Sequence, residues 1–209
     1  MIIRDGNEIT LTENITVEDS EKFKKYLGEI NADITILMDC EGGECEAMFD
    51  MVEQMKNYPH EITTMNIGLV ASAALTLFVC GTRRLSLPNA NFMFHRAVIT
   101  VDTTHLTMLY LTAHELMEAL DGLAKDTTDI FNIMTAHSDT TDKLLMEYTE
   151  NDKEWWFSPK TAVFYKIADE IVEGTIQWAD PTEPDTTHYI ANLPKPDKKI
   201  PLYENPFWG

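Results

Sequence analysis

Residues 67–81 read Ile-Gly-Leu-Val-Ala-Ser-Ala-Ala-Leu-Thr-Leu-Phe-Val-Cys-Gly, and how this stretch divides decides the fold. Its apolar run, Ile67 to Cys80, is 14 residues long, well short of the roughly 20 that a membrane-spanning helix needs. Gly68 and Ser72 interrupt it. It therefore reads as a buried strand passing into a buried helix: a strand over Ile62–Ile67, then a helix over Ala71–Cys80 that Gly81 ends. A strand and a helix this apolar need cover on several sides, which an α/β domain supplies.

The same alternation extends upstream. Ile34–Met38 is a second continuous apolar strand, Gly42-Gly43 a sharp turn, and Ala47, Met48, Met51, Val52 and Met55 recur at helical spacing. Earlier still, Asn7–Thr12 reads as a short strand. Thr16-Val17-Glu18-Asp19 resembles a capping box with aspartate in the acidic place, opening a helix with Phe23, Leu27 and Ile30 on one face.

Downstream, Arg84–Leu87 and Asn91–His95 are short strands around a Pro88-Asn89 turn. The pattern then changes. Ala97–Val101 and Leu106–Leu111 pair across residues 102–105 as a projecting hairpin, and Thr112-Ala113-His114-Glu115 caps a long helix through Leu116, Leu120 and Leu123 toward Ile130 and Ile133. A helix over Thr140–Thr149 follows. Ser158-Pro159 gives an N-cap and a first-turn proline to a short helix ending near Lys166, and Ala168–Val172 is the last strand. Residues 1–174 thus make one domain. Residues 175–209 hold six of the nine prolines, so they form neither a long helix nor a central strand, yet they end in Tyr203, Phe207 and Trp208. An extended arm packing on the domain or on a neighbouring copy is expected.

Composition narrows the function classes. The 209 residues are 44% hydrophobic and 24% charged, and 35 acidic against 16 basic side chains give a net charge of -19. Such a chain repels nucleic acid, and the charge reads as a solubility adaptation. Cys40, Cys45 and Cys80 cannot all pair, which fits a reducing cytoplasm; the start, MIIRDGNEITL, has no basic and apolar leader pattern. His105, His114 and His137 lack convergent carboxylate spacing, so no metal site and no cofactor is expected.

Ser72 is the first candidate for chemistry. It follows a strand, opens an apolar helix, and has only alanines beside it, so a backbone-like substrate can reach its hydroxyl while helix-start amides face a developing oxyanion. A plain N-cap serine is the alternative. His95 ends the strand Phe92-Met93-Phe94, where an imidazole has no packing reason to be. A serine at a helix start with a histidine at a strand end makes a nucleophile and base pair. Gly42-Gly43, between strand and helix, can turn an amide toward a carbonyl oxygen. The thiols of Cys40 and Cys45 lack an activating neighbour and read as small buried hydrophobes, and Trp155-Trp156 as a packing cluster.

These residues resemble the proteolytic subunit of the Clp protease (ClpP) and its phage-encoded relatives. Cys40-Glu41-Gly42-Gly43 is similar to the family's Ser-Pro-Gly-Gly turn, and residues 68–74 to its Gly-x-Ala-Ala-Ser-Met-Gly nucleophile segment. Gly81-Thr82-Arg83-Arg84, Leu87-Pro88-Asn89 and Met93-Phe94-His95 resemble Gly-x-x-Arg, Leu-Pro-Asn and Met-Ile-His. Trp156-Phe157-Ser158-Pro159, Ala162 and Tyr165–Asp169 resemble Phe-Leu-Ser-Ala, Ala and Tyr-Gly-Leu-Ile-Asp. The resemblance covers about residues 8–173.

It implies a ClpP/crotonase-like spiral of β-β-α units with a projecting handle at about 97–138. It implies a serine endopeptidase with Ser72 as nucleophile, His95 as general base and the Gly43 and Ala73 amides as oxyanion hole. The triad acid falls on Glu154 without gaps, or on Asp152 if the loop carries an insertion; Asp169 falls on a non-catalytic aspartate. A heptameric ring, a protein or peptide substrate and an ATP-dependent unfoldase partner are further implications, with no membrane or nucleic-acid partner. Arg96-Ala97 replaces the family's Gln-Pro after the histidine, and Lys166 replaces a glycine near a helix end, which implies different capping. The handle is longer than the family's, and the chain starts too near its first core strand to supply the pore-lining N-terminal loops. Two rival readings remain: a crotonase-like acyl-CoA enzyme, and a non-catalytic ring or viral assembly subunit.

Overall fold

Strand β4 (Ile62–Ala71) is the element around which the sheet is built. In the computed structural model, which describes residues 1–98, 113–174, 176–177 and 190–191, strand β3 (Ile34–Gly43) lies parallel along one edge of it. Strand β2 (Glu8–Ile15) lies parallel to β3, and β1 (Ile2–Asp5) folds back antiparallel on β2. Parallel neighbours need crossovers, and helices α1 (Val17–Glu29) and α2 (Cys45–Lys56) supply them. Helix α3 (Ala73–Val79) leaves the end of β4 and packs on β3 and β4.

Residues of β3 alternate between two cores. Ile34, Ile36, Met38 and Cys40 join the large cluster with Phe23, Met48, Met51 and Phe78, whereas Leu37 joins Met65, Leu85 and Val172 on the opposite face. Both faces are covered, so the strand has no polar side, and this is why its sequence is continuously apolar.

The other edge of β4 is shared between two partners. Thr63–Asn66 pair with β5 (Arg83–Ser86), which carries β8 (Glu170–Ile171) on its far side. Leu69–Ala71 pair instead with β6 (Asn91–Phe94), which carries β7 (Trp155–Phe157) antiparallel. A split edge strands backbone groups that cost about 1–3 kcal/mol each if left buried and unpaired. Two side chains fill the gap. Fully buried Asn66 donates through Nδ2 to the Asn91 carbonyl (2.8 Å) and accepts from the Gly68 N–H (3.1 Å). Asp39, at a register shift between β3 and β4, accepts from the Leu69 N–H at 2.8 Å.

Past the second gap, α4 (Ala113–His137) packs on α3, and α5 (Asp142–Tyr148), α6 (Pro159–Phe164) and β8 close the domain. Among the described residues no helix is long and apolar enough to cross a membrane.

Local sequence signals hold where capping is involved. Thr16 and Asp19 form the reciprocal box, and Ser158 accepts from the Thr161 N–H with Pro159 in the first helical position. Extended boundaries differ. The strands expected to stop at Met38 and Ile67 run on to Gly43 and Ala71 because parallel partners continue beside them. Gly42-Gly43 is therefore a strand end, with φ of 112° and 141°, and not a turn. The first strand, β1, went unforeseen: it is a short edge strand with charged Arg4 and Asp5, pinned only by β2. Lys166 keeps the left-handed conformation of the glycine it replaces, φ 52°, with its N–H bonded to the Val163 carbonyl at 3.1 Å, so the capping is retained. The expected hairpin lies largely outside the described residues, although Ala97 and Val98 are not in a strand, and most of 175–209 lies outside too. Within it, β9 (Ile176–Gln177) and β10 (Ile190–Ala191) pair antiparallel.

Candidate active site

Ser72 occupies the sharp elbow between β4 and α3, with φ 54° and ψ -126°. A side chain in this region costs about 1–3 kcal/mol and persists only where neighbours over-determine it. Here they do. The Ser72 N–H donates to the Met93 carbonyl of β6 at 2.9 Å, extending the β4–β6 ladder by one bond, while the Ser72 carbonyl accepts from Leu75 at 3.0 Å to start α3. The strand pins one side of the residue and the helix the other. The hydroxyl caps nothing, which removes the N-cap reading, and the residue is half-buried. A strained strand-to-helix turn that presents a serine hydroxyl is the geometry of a nucleophile elbow, reached here without a G-x-S-x-G sequence.

The glycine pair closes on this elbow from β3. A Cβ built on Gly42 would lie 2.6 Å from Ser72 Cβ, 2.9 Å from the Ala71 carbonyl oxygen and 3.1 Å from the Ala73 nitrogen. Gly43 presses on the other side, where a Cβ would lie 2.2 Å from the Ile15 oxygen. Both positions need glycine for space and for positive φ. Backbone from β3 thereby reaches the Ser72–Ala73 peptide, and the first amides of a helix have no intrahelical acceptor. Beneath lies Cys40, whose buried thiol donates to the Glu13 carbonyl at 2.9 Å and is pushed up to about 11 by desolvation. It stays protonated at neutral pH and offers no competing nucleophile.

His95 follows the last residue of β6, one strand over from Ser72. Among the described residues no hydrogen bond joins the Ser72 hydroxyl to His95; the Nδ1 of His95 instead meets the Arg96 carbonyl at 2.5 Å. The side chain of Arg96, absent from the expected site, donates through Nη2 to the Thr149 carbonyl at 2.8 Å. Continuing the β6–β7 register by one pair, from Phe94↔Trp155, sets Glu154 opposite His95. The Glu154 carboxylate is exposed and accepts from the Trp156 indole N–H at 2.8 Å. Asp152 closes a single 3-10 turn, Glu150–Asp152, ahead of it. Trp155 anchors this segment, stacked on Tyr148 with ring centroids 4.5 Å apart, while Trp156 stands 54% exposed and is no part of the packing cluster expected for the pair.

Three strand ends thus converge: β4 brings Ser72, β6 brings His95, and β7 brings Glu154, with Gly42-Gly43 arriving from β3. The convergence depends on the split edge of β4, since only its second half carries β6. Asp169 is elsewhere, paired with Arg84 at 2.6 Å. Sequence inspection missed Asn66 and Asp39, whose buried amide and carboxylate hold the split; an isolated polar residue in an apolar strand was the available signal.

Comparison with known proteins agrees with this arrangement. The sequence model of the Clp protease family matches residues 3–175. The ATP-dependent Clp protease proteolytic subunit 2 of Borreliella burgdorferi is 24% identical over 183 residues, covering 84% of this chain and 87% of that protein. The subunit 2 of Streptomyces coelicolor is 25% identical over 142 residues, 67% of this chain and 61% of that protein. The proteolytic subunit of Dehalococcoides mccartyi is 27% identical over 143 residues, 68% of this chain and 66% of that protein. The chain thus spans less than two thirds of the length of the latter two relatives.

Proposed function

The chain belongs to the Clp protease family, and on that premise we propose that it is a serine peptidase subunit acting on unfolded proteins or peptides. One observation carries the reading: Ser72 is held in a strained elbow, its hydroxyl spent on no cap, one strand away from His95. In this reading the Ser72 oxygen attacks the scissile carbonyl while His95 takes its proton through Nε2. The tetrahedral oxyanion is met by the Gly43 and Ala73 amides. His95 then protonates the leaving amine, and water, activated by the same imidazole, hydrolyses the acyl-enzyme. Hydrogen bonds of this kind tighten as substrate binds, so their absence in the free chain is compatible with the role. The family correspondence puts the triad acid at Glu154, or at Asp152 with an insertion. The Ser72–His95 pair carries the reading without it.

The rest follows from the family and is proposed with it: a spiral of β-β-α units, a handle at about 97–138, a domain over 1–174 with an arm over 175–209, a homo-oligomeric ring and an ATP-dependent unfoldase that feeds it. Confinement in a ring would restrict cleavage to chains that can be threaded. A fluorophosphonate probe tests the chemistry. Covalent labelling at Ser72, lost in S72A and H95A, together with hydrolysis of a fluorogenic peptide, is expected. An unlabelled chain that turns over an enoyl thioester would favour the crotonase-like alternative, and one inert to both a non-catalytic ring subunit.

A further inference from the structure

His95 needs an orienting partner on the ring nitrogen that faces away from Ser72, and the structure offers two candidates. The Glu154 carboxylate sits in the right register but is exposed and already bonded to the Trp156 indole at 2.8 Å. The Arg96 carbonyl is in contact with His95 Nδ1 at 2.5 Å. A carbonyl oxygen only accepts, so the proton of this bond belongs to Nδ1, which leaves Nε2 of the neutral imidazole with its lone pair. Nε2 has no hydrogen-bond partner among the described residues and is the nitrogen a general base must present.

The carbonyl is itself held. Immediately after β6 the backbone has no ladder, and the Arg96 side chain supplies the missing tie by donating to the Thr149 carbonyl at 2.8 Å. Thr149 is fully buried and rigid: it ends α5, with its N–H and its hydroxyl both bonded to the Leu145 carbonyl at 3.1 and 2.6 Å. The guanidinium therefore fastens the turn that carries His95 to a fixed point on the far side of the site.

We infer that Arg96 is the positioning residue for His95: its carbonyl selects the imidazole tautomer, its guanidinium bond to Thr149 fixes that carbonyl, and Glu154 serves Trp156 instead. The inference rests on the peptidase reading above and replaces its acid with a neutral acceptor. A carbonyl orients the ring without adding a negative charge, so loss of the Glu154 charge should be tolerated where loss of the Arg96 anchor is not.

The test uses the full chain with the fluorophosphonate probe and a fluorogenic peptide. E154Q should keep the inactivation rate and kcat within about threefold of wild type, whereas loss of an orienting carboxylate costs up to about 10⁴-fold. R96A should lower both about tenfold or more at unchanged KM, and R96K, which keeps a cation able to reach the Thr149 carbonyl, should recover most of the loss. Any other ranking of E154Q and R96A overturns the inference. A second readout needs no activity. In chain labelled with ¹⁵N-histidine and assigned through H95Q, His95 should show the protonated Nδ1 tautomer equally in wild type and E154Q. A change of tautomer in E154Q overturns the assignment. If S72A is labelled as fast as wild type, the peptidase reading fails, and the imidazole spectra still decide what holds His95.

Discussion

Ser72 and Ser158 both stand before a short helix, and they do opposite things. Ser158 is extended, φ -82° and ψ 164°, and its hydroxyl accepts from the Thr161 N–H three residues on. Ser72 sits at φ 54° and ψ -126°, and its hydroxyl accepts from no amide of α3. The first is a serine used for what its side chain does to the backbone. The second is a serine whose backbone is strained so that its side chain is left unspent. Their surroundings differ accordingly. Ser158 is exposed and its cap is local, whereas Ser72 is clamped by the Met93 carbonyl on β6 and by Gly42 on β3, both distant in sequence. A helix-start serine that fails to cap has been diverted to something else, and the elements that enforce the diversion outline the site.

Substitutions that separate the two roles give the largest effects at Ser72. S72A should lower peptide hydrolysis by about 10⁴-fold or more with no fall in thermal midpoint, since no cap is lost; a midpoint several degrees lower would put Ser72 with Ser158 as a structural residue. G42A comes next. Its Cβ would meet Ser72 Cβ at 2.6 Å from a backbone at φ 112°, so either the elbow or the strand end must move. Fluorophosphonate labelling should slow by about 100-fold, as expected when a nucleophile is displaced by about an ångström, and unimpaired labelling would detach Gly42 from the site.

Smaller effects sharpen the contrast. S158A should cost about 1 kcal/mol in chemical denaturation, the usual value of a serine cap, while leaving the hydrolysis rate within twofold. The smallest effects come from relieving strain. Lys166, at φ 52°, shares the positive φ of Ser72 without its clamps from distant strands, and its ion pair with Asp139 is exposed. K166G should therefore gain roughly 0.5–1 kcal/mol with the rate unchanged, because glycine tolerates this conformation and a surface pair is worth little. S72G should gain a similar amount and abolish hydrolysis. Equal activity in the two glycine variants would mean that the strain at Ser72 has no chemical purpose.

The sites legible in the sequence are those set by local rules. The Thr16–Asp19 box, the Ser158-Pro159 start and the helical spacing of Met48, Met51 and Met55 depend on neighbours within a turn or two, so residue identity suffices to read them. The strand ends at Gly43 and Ala71 were not legible, because a strand continues as long as a partner lies beside it, and the partner is set by topology. Ser72 and His95 stood out through unusual settings, but Arg96 did not. A surface arginine after a histidine carries no sign that its carbonyl and its guanidinium face two different elements.

The order of residues alone determined an alternating α/β chain of the Clp protease type, with a serine and a histidine out of place in apolar segments. That much follows from periodicity and from the energetic cost of burying a polar side chain without reason. Only the folded chain decided that β4 divides its edge between β5 and β6, that the division strains Ser72, and that a carbonyl rather than a carboxylate touches His95. Those outcomes depend on which distant backbone groups compete for the same hydrogen bonds, and that competition exists only once the strands are side by side.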